Sequence, residues 1–409
     1  MGQGDSGFDN NEGMGGFERG GYDQEAAHPT NANWTRQSRF CVPDEPKLVW
    51  RAGGGRAFID ATVVGGSFVV DRDRHVLVSD CDDSLVGPHY GRLFRISSTG
   101  EMSEVFRSGL ELKSPVIGKD GLIYLATTGA EDSSGHKLYC LFPDGRVNWE
   151  FPIGSNAYCN PVLDRSGNVY VFTYGNKVGT LFSIRPDGTL NWQRQFRSVN
   201  WFEPVVSHEG IVYVGLNVDK KLYAFDKNGR QLWSRKLGQG LFGGPPNAAS
   251  DGTIYVCLSG TLFALHADGT IKWRYGPKGQ SVLYGPAMDR QGNLYINLNA
   301  LNFVSLSPDG KERWRTRIAG FATAAPIIGS CGRLCQQSHM KRSPQDQSWV
   351  ESYTLDGEKV WTYELDGRIV STVLGGDNRI YALSVCRDRL DEWPLGRRNS
   401  RWELHALGQ

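Results

Sequence analysis

Several features that identify common protein classes are missing from this 409-residue sequence. No run of 18 consecutive apolar residues occurs, so the chain lacks the signal of a membrane-spanning helix. Lysine and arginine total 45 against 44 acidic residues, and a net charge of +1 gives no global field for nucleic acid or an anionic membrane. A nucleophile elbow, a phosphate-binding loop and an HExxH zinc motif are also absent. No motif therefore indicates a catalytic class.

Residues 1–45 differ in composition from the rest of the chain. Residues 1–21 contain no aliphatic side chain and are rich in Gly, Asp, Asn and Glu, which predicts disorder. They have neither the basic start nor the apolar stretch of a signal peptide. The eight cysteines show no zinc-ligand spacing. We therefore expect a disordered, glycine-rich tail over residues 1–45 and a cytoplasmic protein.

One repeated unit dominates the remaining sequence. Short β-branched and aromatic runs are broken by Gly, Asp and Asn, a pattern typical of antiparallel strands joined by tight turns. A period of about 40 residues is typical of an array of small sheets, and four strands make one blade of a β-propeller. Each unit ends in a glycine followed four residues later by a tryptophan, at Gly145/Trp149, Gly188/Trp192, Gly229/Trp233, Gly269/Trp273, Gly310/Trp314 and Gly357/Trp361.

The number of second strands predicts eight blades. The last blade reaches residues 404–407 and then lacks its fourth strand and tryptophan, whereas an unmatched strand with Trp50 occurs at residues 46–50. We predict that residues 46–409 form one all-β, eight-bladed β-propeller of four-stranded antiparallel blades. An N-terminal strand completes the C-terminal blade, because a closed ring leaves only short, protected edges. The repeated tryptophans are expected to pack between neighbouring blades.

The unit resembles the PQQ-type repeat of eight-bladed, quinoprotein-like propellers. The pattern GxxYV…LYALdxdGxxxW is matched best over residues 252–273 and 213–233. The resemblance implies the eight-bladed fold but leaves function open, because the family includes quinone-dependent dehydrogenases and non-enzymatic assembly lipoproteins. It implies, for the dehydrogenases, a quinone held with calcium-binding Glu, Asn and Asp residues. Asn160 and Glu203 match in residue type, but no catalytic Asp can be placed and no Cys-Cys pair is present.

Aromatic side chains are concentrated in the segments that lead into the first strands. In a propeller these lead-in segments lie on the same face as the turns between second and third strands, around a central funnel. The aromatic residues are expected either to bind a ligand there or to plug the channel. The candidate funnel residues are Tyr158, Trp201, Phe202, Phe242, Tyr284 and Phe321, with Asn160 and Glu203 beside them.

The connections between second and third strands are long in four consecutive blades. They span residues 336–347 in blade 7, 386–401 in blade 8, 79–91 in blade 1 and 127–136 in blade 2, and we predict that they form one wall on the funnel face. Arginine with tryptophan is typical of interface anchors, although a solvated, self-neutralised loop is the alternative. The wall carries Arg387, Arg389, Trp393, Arg397 and Arg398, and it also carries Asp80, Asp82 and Asp83 as a candidate calcium cluster without the usual glycine-centred spacing.

Two classes of function are consistent with these features. The leading hypothesis is a monomeric, non-catalytic binding or scaffold propeller that needs no cofactor and engages a protein or polymer partner through the funnel face and the wall. The alternative is a lyase, hydrolase or cyclase with its site in the funnel. Its candidate acid–base groups are Glu203, His89 and His339. The resemblance adds a PQQ-dependent dehydrogenase, with calcium and PQQ as cofactors.

Overall fold

The computed structural model describes residues 40–56, 68–82, 90–129, 135–197, 202–299, 301–340, 346–387 and 400–408. These residues form 34 β-strands and no helix. The strands assemble into eight separate antiparallel sheets, which are the blades of one propeller. The prediction of an all-β, eight-bladed fold is confirmed.

Each blade has four antiparallel strands, which are consecutive along the chain in blades 1 to 7, and blades 2 and 7 have one additional short strand. The first strand of the sequence, β1 (Lys47–Arg56), belongs to blade 8. Blade 1 contains β2 (Phe68–Val70), β3 (Val76–Asp82), β4 (Tyr90–Ile96) and β5 (Met102–Ser108), and blade 2 contains β6 (Glu111–Leu112), β7 (Val116–Ile117), β8 (Ile123–Thr128), β9 (Lys137–Leu141) and β10 (Val147–Pro152). Blade 3 contains β11 (Val162–Leu163), β12 (Val169–Gly175), β13 (Val178–Ile184) and β14 (Leu190–Phe196). Blade 4 contains β15 (Val205–Val206), β16 (Val212–Leu216), β17 (Lys221–Phe225) and β18 (Gln231–Lys236). Blade 5 contains β19 (Asn247–Ala248), β20 (Ile254–Leu258), β21 (Thr261–Leu265) and β22 (Ile271–Tyr275), and blade 6 contains β23 (Val282–Met288), β24 (Leu294–Leu298), β25 (Asn302–Leu306) and β26 (Glu312–Arg317). Blade 7 contains β27 (Phe321–Ala322), β28 (Ile327–Ile328), β29 (Arg333–Met340), β30 (Gln347–Thr354) and β31 (Lys359–Asp366). Blade 8 contains β32 (Arg368–Leu374), β33 (Ile380–Arg387) and β34 (Ser400–Gly408) in addition to β1.

The hydrophobic core lies between neighbouring blades. Second strands such as β16 and β20 are buried along their whole length, whereas the fourth strand β22 is largely exposed, which places it at the rim. One core cluster contains Tyr170 and Trp192 of blade 3 together with Val212 and Phe225 of blade 4. A sheet buried on both faces needs apolar residues at successive positions, which explains the continuous runs in the second strands.

The repeated tryptophans join each blade to the next. Trp192 donates a hydrogen bond from Nε1 to the Lys227 carbonyl at 2.9 Å, and its ring covers Gly229, which has a φ of +76°. A Cβ atom at Gly229 would lie 2.6 Å from that ring, so only glycine fits beneath it. The structural role predicted for the tryptophans is confirmed. The same indole-to-carbonyl bond is made by Trp50, Trp149, Trp233, Trp273, Trp314 and Trp361.

The two ends of the propeller meet in blade 8, as predicted. Strand β1 pairs antiparallel with β34, and the register places Leu48 opposite Leu407 and Trp50 opposite Ala406. Trp50 then donates from Nε1 to the Ser98 carbonyl of blade 1 at 2.8 Å. The N-terminal strand therefore closes the ring and also supplies the inter-blade tryptophan that the C-terminal blade lacks.

Residues 40–45, which we call the strap, contact the propeller ahead of the expected domain start at residue 46. Val42 is 2% exposed, and the Pro43 carbonyl accepts a hydrogen bond from Trp361 Nε1 at 2.8 Å. Pro43 thus takes the place that Pro186 holds for Trp149 in an ordinary turn. The contacts of the propeller extend back at least to residue 40, and residues 1–39 of the predicted tail lie outside the described residues.

Long second and third strands distinguish blades 7, 8 and 1 from blades 4 to 6. We call β29–β30, β33–β34 and β3–β4 the long hairpins, because their strands have seven to nine residues against five in the equivalent hairpins of blades 4 to 6. The predicted insertions are therefore partly wrong as loops, since most of residues 336–340 and 79–82 continue a strand. Residues 83–89, 130–134, 341–345 and 388–399, at the tips, lie outside the described residues.

Blade 3 has a hairpin that the sequence did not single out. Strands β12 and β13 have seven residues each, and they are joined directly at Asn176 and Lys177. Both turn residues have positive φ, 50° and 64°, as a two-residue hairpin turn requires. Blade 3 therefore also extends on the face of the long hairpins.

Candidate functional site

The lead-in segments and the ends of the second strands lie side by side, which places the predicted funnel residues on one face. Phe242 forms a β-bridge with Leu258 at the end of β20, and Phe321 pairs with His339 near the end of β29. The expectation that both kinds of segment share a face is confirmed for these blades.

Three polar residues join blades 2, 3 and 4 at this face. Asn160 donates from Nδ2 to Glu203 Oε1 at 2.8 Å, and its Oδ1 accepts from the Ser114 backbone N–H at 2.9 Å. All three residues occupy equivalent positions, directly before the proline that precedes or begins each first strand. Asn160 and Glu203 are 2% and 3% exposed. The structure thus brings together the two polar candidates that the sequence suggested.

Glu203 is electrostatically unusual. Burial raises its pKa to about 7, against the opposing effects of the Asn160 hydrogen bond and the positive charge of Lys113. The carboxyl is therefore divided between its protonated and ionised forms at neutral pH, a state that suits general acid–base chemistry. The same burial raises the pKa of the adjacent Cys159 thiol to about 12, which keeps that thiol protonated.

The groups around Glu203 do not fit the calcium-bound quinone that the resemblance implies. Glu203 and Asn160 are bonded to each other, and the Asn160 oxygen is occupied by the Ser114 N–H, so the two residues do not converge on a shared ion. Among the described residues, the single group of three potential acidic, histidine or cysteine ligands is Asp71, Asp73 and His75. It lies in the first hairpin turn of blade 1, on the opposite face. The arrangement supports no step through calcium or PQQ.

A set of buried side-chain amides, which we call the amide girdle, links successive blades near the channel. Asn247 donates from Nδ2 to the Pro286 carbonyl of blade 6 at 2.6 Å, and Gln337 donates from Nε2 to the Val370 carbonyl of blade 8 at 3.2 Å. Sequence reasoning missed Asn247, Asn297 and Gln337, although the amide of Asn297 inside an otherwise apolar second strand was a usable signal. The girdle consists of Asn160, Asn247, Asn297 and Gln337, and each of the four bonds to the following blade.

The aromatic candidates are packed to different extents. The Tyr158 ring meets Tyr174 edge-on at 5.5 Å, and Tyr284, at a φ of +65°, directs its hydroxyl to the Ala322 carbonyl at 3.4 Å. Phe321 is 45% exposed. A positive φ is uncommon for a bulky residue and occurs where surrounding packing holds it. The structure therefore makes Phe321 the most accessible of these rings, and Trp201 lies outside the described residues.

Phe242 is buried between two blades and presents little surface to the funnel, although the sequence predicted it as a ligand-binding residue. Its side chain is 3% exposed and packs with Val205 and Tyr213 in the core between blades 4 and 5. A Cβ atom at Gly215 would lie 3.0 Å from the Phe242 ring, so the ring fills the space left by that glycine. Phe202 is half-buried against the same cluster. Both residues stabilise the interface between the blades, because burying their apolar rings there removes apolar surface from water.

Asp80 is engaged in a buried ion pair instead of a calcium site. Its carboxylate accepts two hydrogen bonds from Arg92, at 2.8 and 3.0 Å, and a third from Trp402 Nε1 at 3.2 Å. Asp80 and Trp402 are 3% and 0% exposed. A bidentate pair with a buried indole donor fixes the junction of blades 8 and 1. Protein donors therefore occupy the Asp80 carboxylate, which weakens the calcium prediction for this residue, and Asp83 lies outside the described residues.

His339 and Glu203 belong to blades that are three positions apart in the ring. His339 lies on β29 of blade 7, whereas Glu203 precedes the first strand of blade 4. Burial and the positive charge of Arg368 lower the pKa of His339, so it is neutral at pH 7. The structure thus does not bring these two acid–base candidates together. His89 lies outside the described residues.

The arginine-rich wall is only partly described. Arg387 is the last residue of β33 and pairs with Ser400 across the hairpin. The remaining interface candidates lie outside the described residues, namely Arg389, Trp393, Arg397 and Arg398. These residues connect β33 to β34, which form one of the long hairpins. The position of the wall on the ring therefore stays a prediction, and the position of these two strands supports it.

The eight antiparallel sheets and the repeated glycine–tryptophan contacts define the class of this protein, an eight-bladed β-propeller. The family model described as outer membrane protein assembly factor BamB matches residues 218–291. No curated protein matches the sequence.

Solved structures share the fold at low sequence identity. BamB from Moraxella catarrhalis is 15% identical, with a TM-score of 0.57 over 89% of this chain and 98% of that chain. Quinohemoprotein alcohol dehydrogenase from Comamonas testosteroni is 12% identical, with a TM-score of 0.63 over 92% and 79%. The C-terminal WD40 domain of Sif2 is 9% identical, with a TM-score of 0.60 over 90% and 99%. These similarities establish the propeller architecture. The described residues include no helix suited to crossing a membrane.

Proposed function

We propose that this protein is a non-catalytic scaffold whose long hairpins and funnel face bind a protein partner. The observation that supports the proposal is that the long hairpins lie on the consecutive blades 7, 8 and 1, with a further seven-residue hairpin on blade 3, whereas the equivalent strands of blades 4 to 6 have five residues. Long connections in a compact repeat fold are usually functional. The matched family is described as an assembly factor, which agrees with a scaffold role.

The inner face supports a rigid scaffold more readily than a mobile active site. The amide girdle ties consecutive blades together with buried hydrogen bonds, and such bonds cost free energy when they are broken without replacement. The long hairpins are rooted in the same sheets. A partner would therefore meet a preorganised surface, which lowers the entropic cost of association. A monomeric propeller in the cytoplasm, without a cofactor, is part of this proposal.

The test is to shorten one long hairpin without disturbing its strands. Arg387 and Ser400 are paired, so replacing residues 388–399 with Asn-Gly closes the β33–β34 hairpin with a two-residue turn. We expect an unchanged Tm and loss of the proteins that the immobilised wild type retains, quantified by mass spectrometry. Val218→Ser, on the short hairpin side of blade 4, is the matched control and should retain them. Equal capture by the shortened variant would refute the proposal, and capture of a polysaccharide or other polymer alone would replace the protein partner.

A second candidate function is an enzyme of the lyase, hydrolase or cyclase type with Glu203 as its acid–base group. The observation that favours it is the buried Glu203 carboxyl with a pKa of about 7, hydrogen-bonded to Asn160. Native mass spectrometry of the purified protein separates the candidates. A small molecule retained by the wild type and lost from Glu203→Gln would favour the enzyme, whereas an empty wild-type protein would favour the scaffold.

A further inference from the structure

The strap runs alongside the first hairpin turn of blade 7. The Ser330 N–H donates to the Phe40 carbonyl at 2.9 Å, and a Cβ atom at Gly329 would lie 2.9 Å from the Val42 nitrogen. The strap and this turn are therefore in direct backbone contact. A disulfide requires such proximity, because it spans Cα separations of only about 4.4–6.8 Å.

A cysteine stands at the centre of each segment. The Cys41 sulfur lies 3.6 Å from Ser330 Oγ, and the Cys331 sulfur lies 4.0 Å from the Val42 carbonyl. Each thiol thus reaches the residue next to the other cysteine. Burial raises the pKa of the Cys331 thiol to about 11, and the neighbouring Cys41 thiol contributes to that increase. The Cys41 thiol is therefore close enough to Cys331 to affect its ionisation.

Accessibility separates this pair from other cysteines. Six cysteines of the described residues are free thiols, and four of these are buried. Cys41 is partly exposed and Cys331 is exposed. Thiol reactivity requires access as well as thiolate character, so an oxidant in solution reaches this pair before the buried thiols, which are Cys140, Cys159, Cys257 and Cys335.

We propose that Cys41 and Cys331, which are free thiols in the structure, form a disulfide under oxidising conditions and so fasten the strap to blade 7. In the first step the Cys41 thiolate attacks a small-molecule disulfide such as glutathione disulfide and releases one glutathione thiolate. The Cys331 thiolate then attacks the Cys41 sulfur and releases the second. The two cysteines are oxidised, one glutathione disulfide is reduced to two glutathione molecules, and the two cysteine protons pass to the departing thiolates.

The position of this disulfide makes it a covalent closure of the ring. Strand β1 follows the strap directly, and its pairing with β34 holds the first and last blades together. Opening the ring requires β1 to leave β34, and a strap bonded to blade 7 opposes that movement. The disulfide also encloses most of the propeller between residues 41 and 331, and long enclosed segments give the largest restriction of the unfolded chain. This inference is independent of the proposed binding function.

The experiment oxidises the full chain with glutathione disulfide at pH 8. Non-reducing peptide mapping should recover one linked pair of peptides containing Cys41 and Cys331. The Tm should rise by about 3–6 °C and return when dithiothreitol is added. Cys41→Ser and Cys331→Ser should each remove this dependence, while Ser330→Ala should keep it. The wild-type peptide map does not depend on the folding of any variant.

Two results would overturn the proposal. One is stable glutathione adducts on Cys41 or Cys331 without a link between them, which would show that the two sulfurs do not meet. The other is a linked protein whose Tm equals that of the reduced protein, which would show that the strap does not restrain the ring.

Discussion

Trp233 provides the sharpest test of how the blades are held together. Its Nε1 donates to the Ala267 carbonyl at 2.8 Å, its ring covers Gly269, and it pairs with Tyr213 at a centroid distance of 5.9 Å. Replacing a buried tryptophan with alanine costs about 3–5 kcal/mol. Because Trp233 is only partly buried, we expect Trp233→Ala to lower the free energy of unfolding by about 3 kcal/mol.

The separate contributions can be measured with a second variant. The hydrogen bond accounts for about 1 kcal/mol and the aromatic pair for about 0.5–1.5 kcal/mol, with the remainder from apolar burial. Trp233→Phe keeps a ring over Gly269 but removes the donor to Ala267, so we expect a loss of about 1 kcal/mol. Urea unfolding followed by circular dichroism measures both variants against the wild type.

The outcome discriminates clearly between a structural and a surface role. Trp233 bonds to the Ala267 carbonyl of the next blade and packs on Tyr213 in the core between blades, so partner capture should be unchanged when folding is intact. An alanine variant as stable as the wild type would refute the view that these tryptophans bind neighbouring blades. Equal losses in the alanine and phenylalanine variants would instead assign the stabilisation to the hydrogen bond alone.

Two further predictions follow from the same structure. Gly229→Ala should lower the free energy of unfolding by about 1–3 kcal/mol more than Gly210→Ala, as measured by urea unfolding. Both glycines have a φ near +80°, but the new Cβ at Gly229 would lie 2.6 Å from a ring, whereas the nearest atom at Gly210 is 3.7 Å away. Equal losses in the two variants would contradict this prediction. For Glu203, a folded-state pKa of about 7 exceeds the unfolded value, so the folded protein holds the extra proton and its stability falls as pH rises from about 4.5 to 7. Glu203→Gln should remove about 3 kcal/mol of that fall in urea unfolding measured across this range, and an identical pH profile for both proteins would disprove the burial effect.

The sequence predicted the ring because its signals are local and repeated. The contact between Gly229 and Trp192 of the preceding blade recurs at five further junctions, and a glycine with positive φ is needed wherever the indole lies over the turn. The unmatched strand with Trp50 was identifiable for the same reason, since the last blade lacked that element. Repetition made each unit a check on the others.

The candidate site was predictable only in part. Asn160 and Glu203 stood out as polar residues before prolines, but their direct hydrogen bond depends on how far adjacent blades are rotated around the channel. Phe242 had the same sequence context as Tyr158, yet it is buried because Gly215 leaves room for its ring. Gly215 lies on the neighbouring blade, so the residues around Phe242 in the sequence do not reveal the space that this glycine leaves.

The amino-acid sequence by itself determined the blade, the number of blades and the closure, because strand alternation, turn residues and the glycine–tryptophan spacing act within a few dozen residues. The tertiary structure alone decided the partners across blades, namely the Asp80–Arg92–Trp402 cluster, the amide girdle and the contact of Cys41 with Ser330. These contacts join residues as many as 322 positions apart. They exist because the ring brings distant segments together and because buried polar groups require a partner wherever the fold places them.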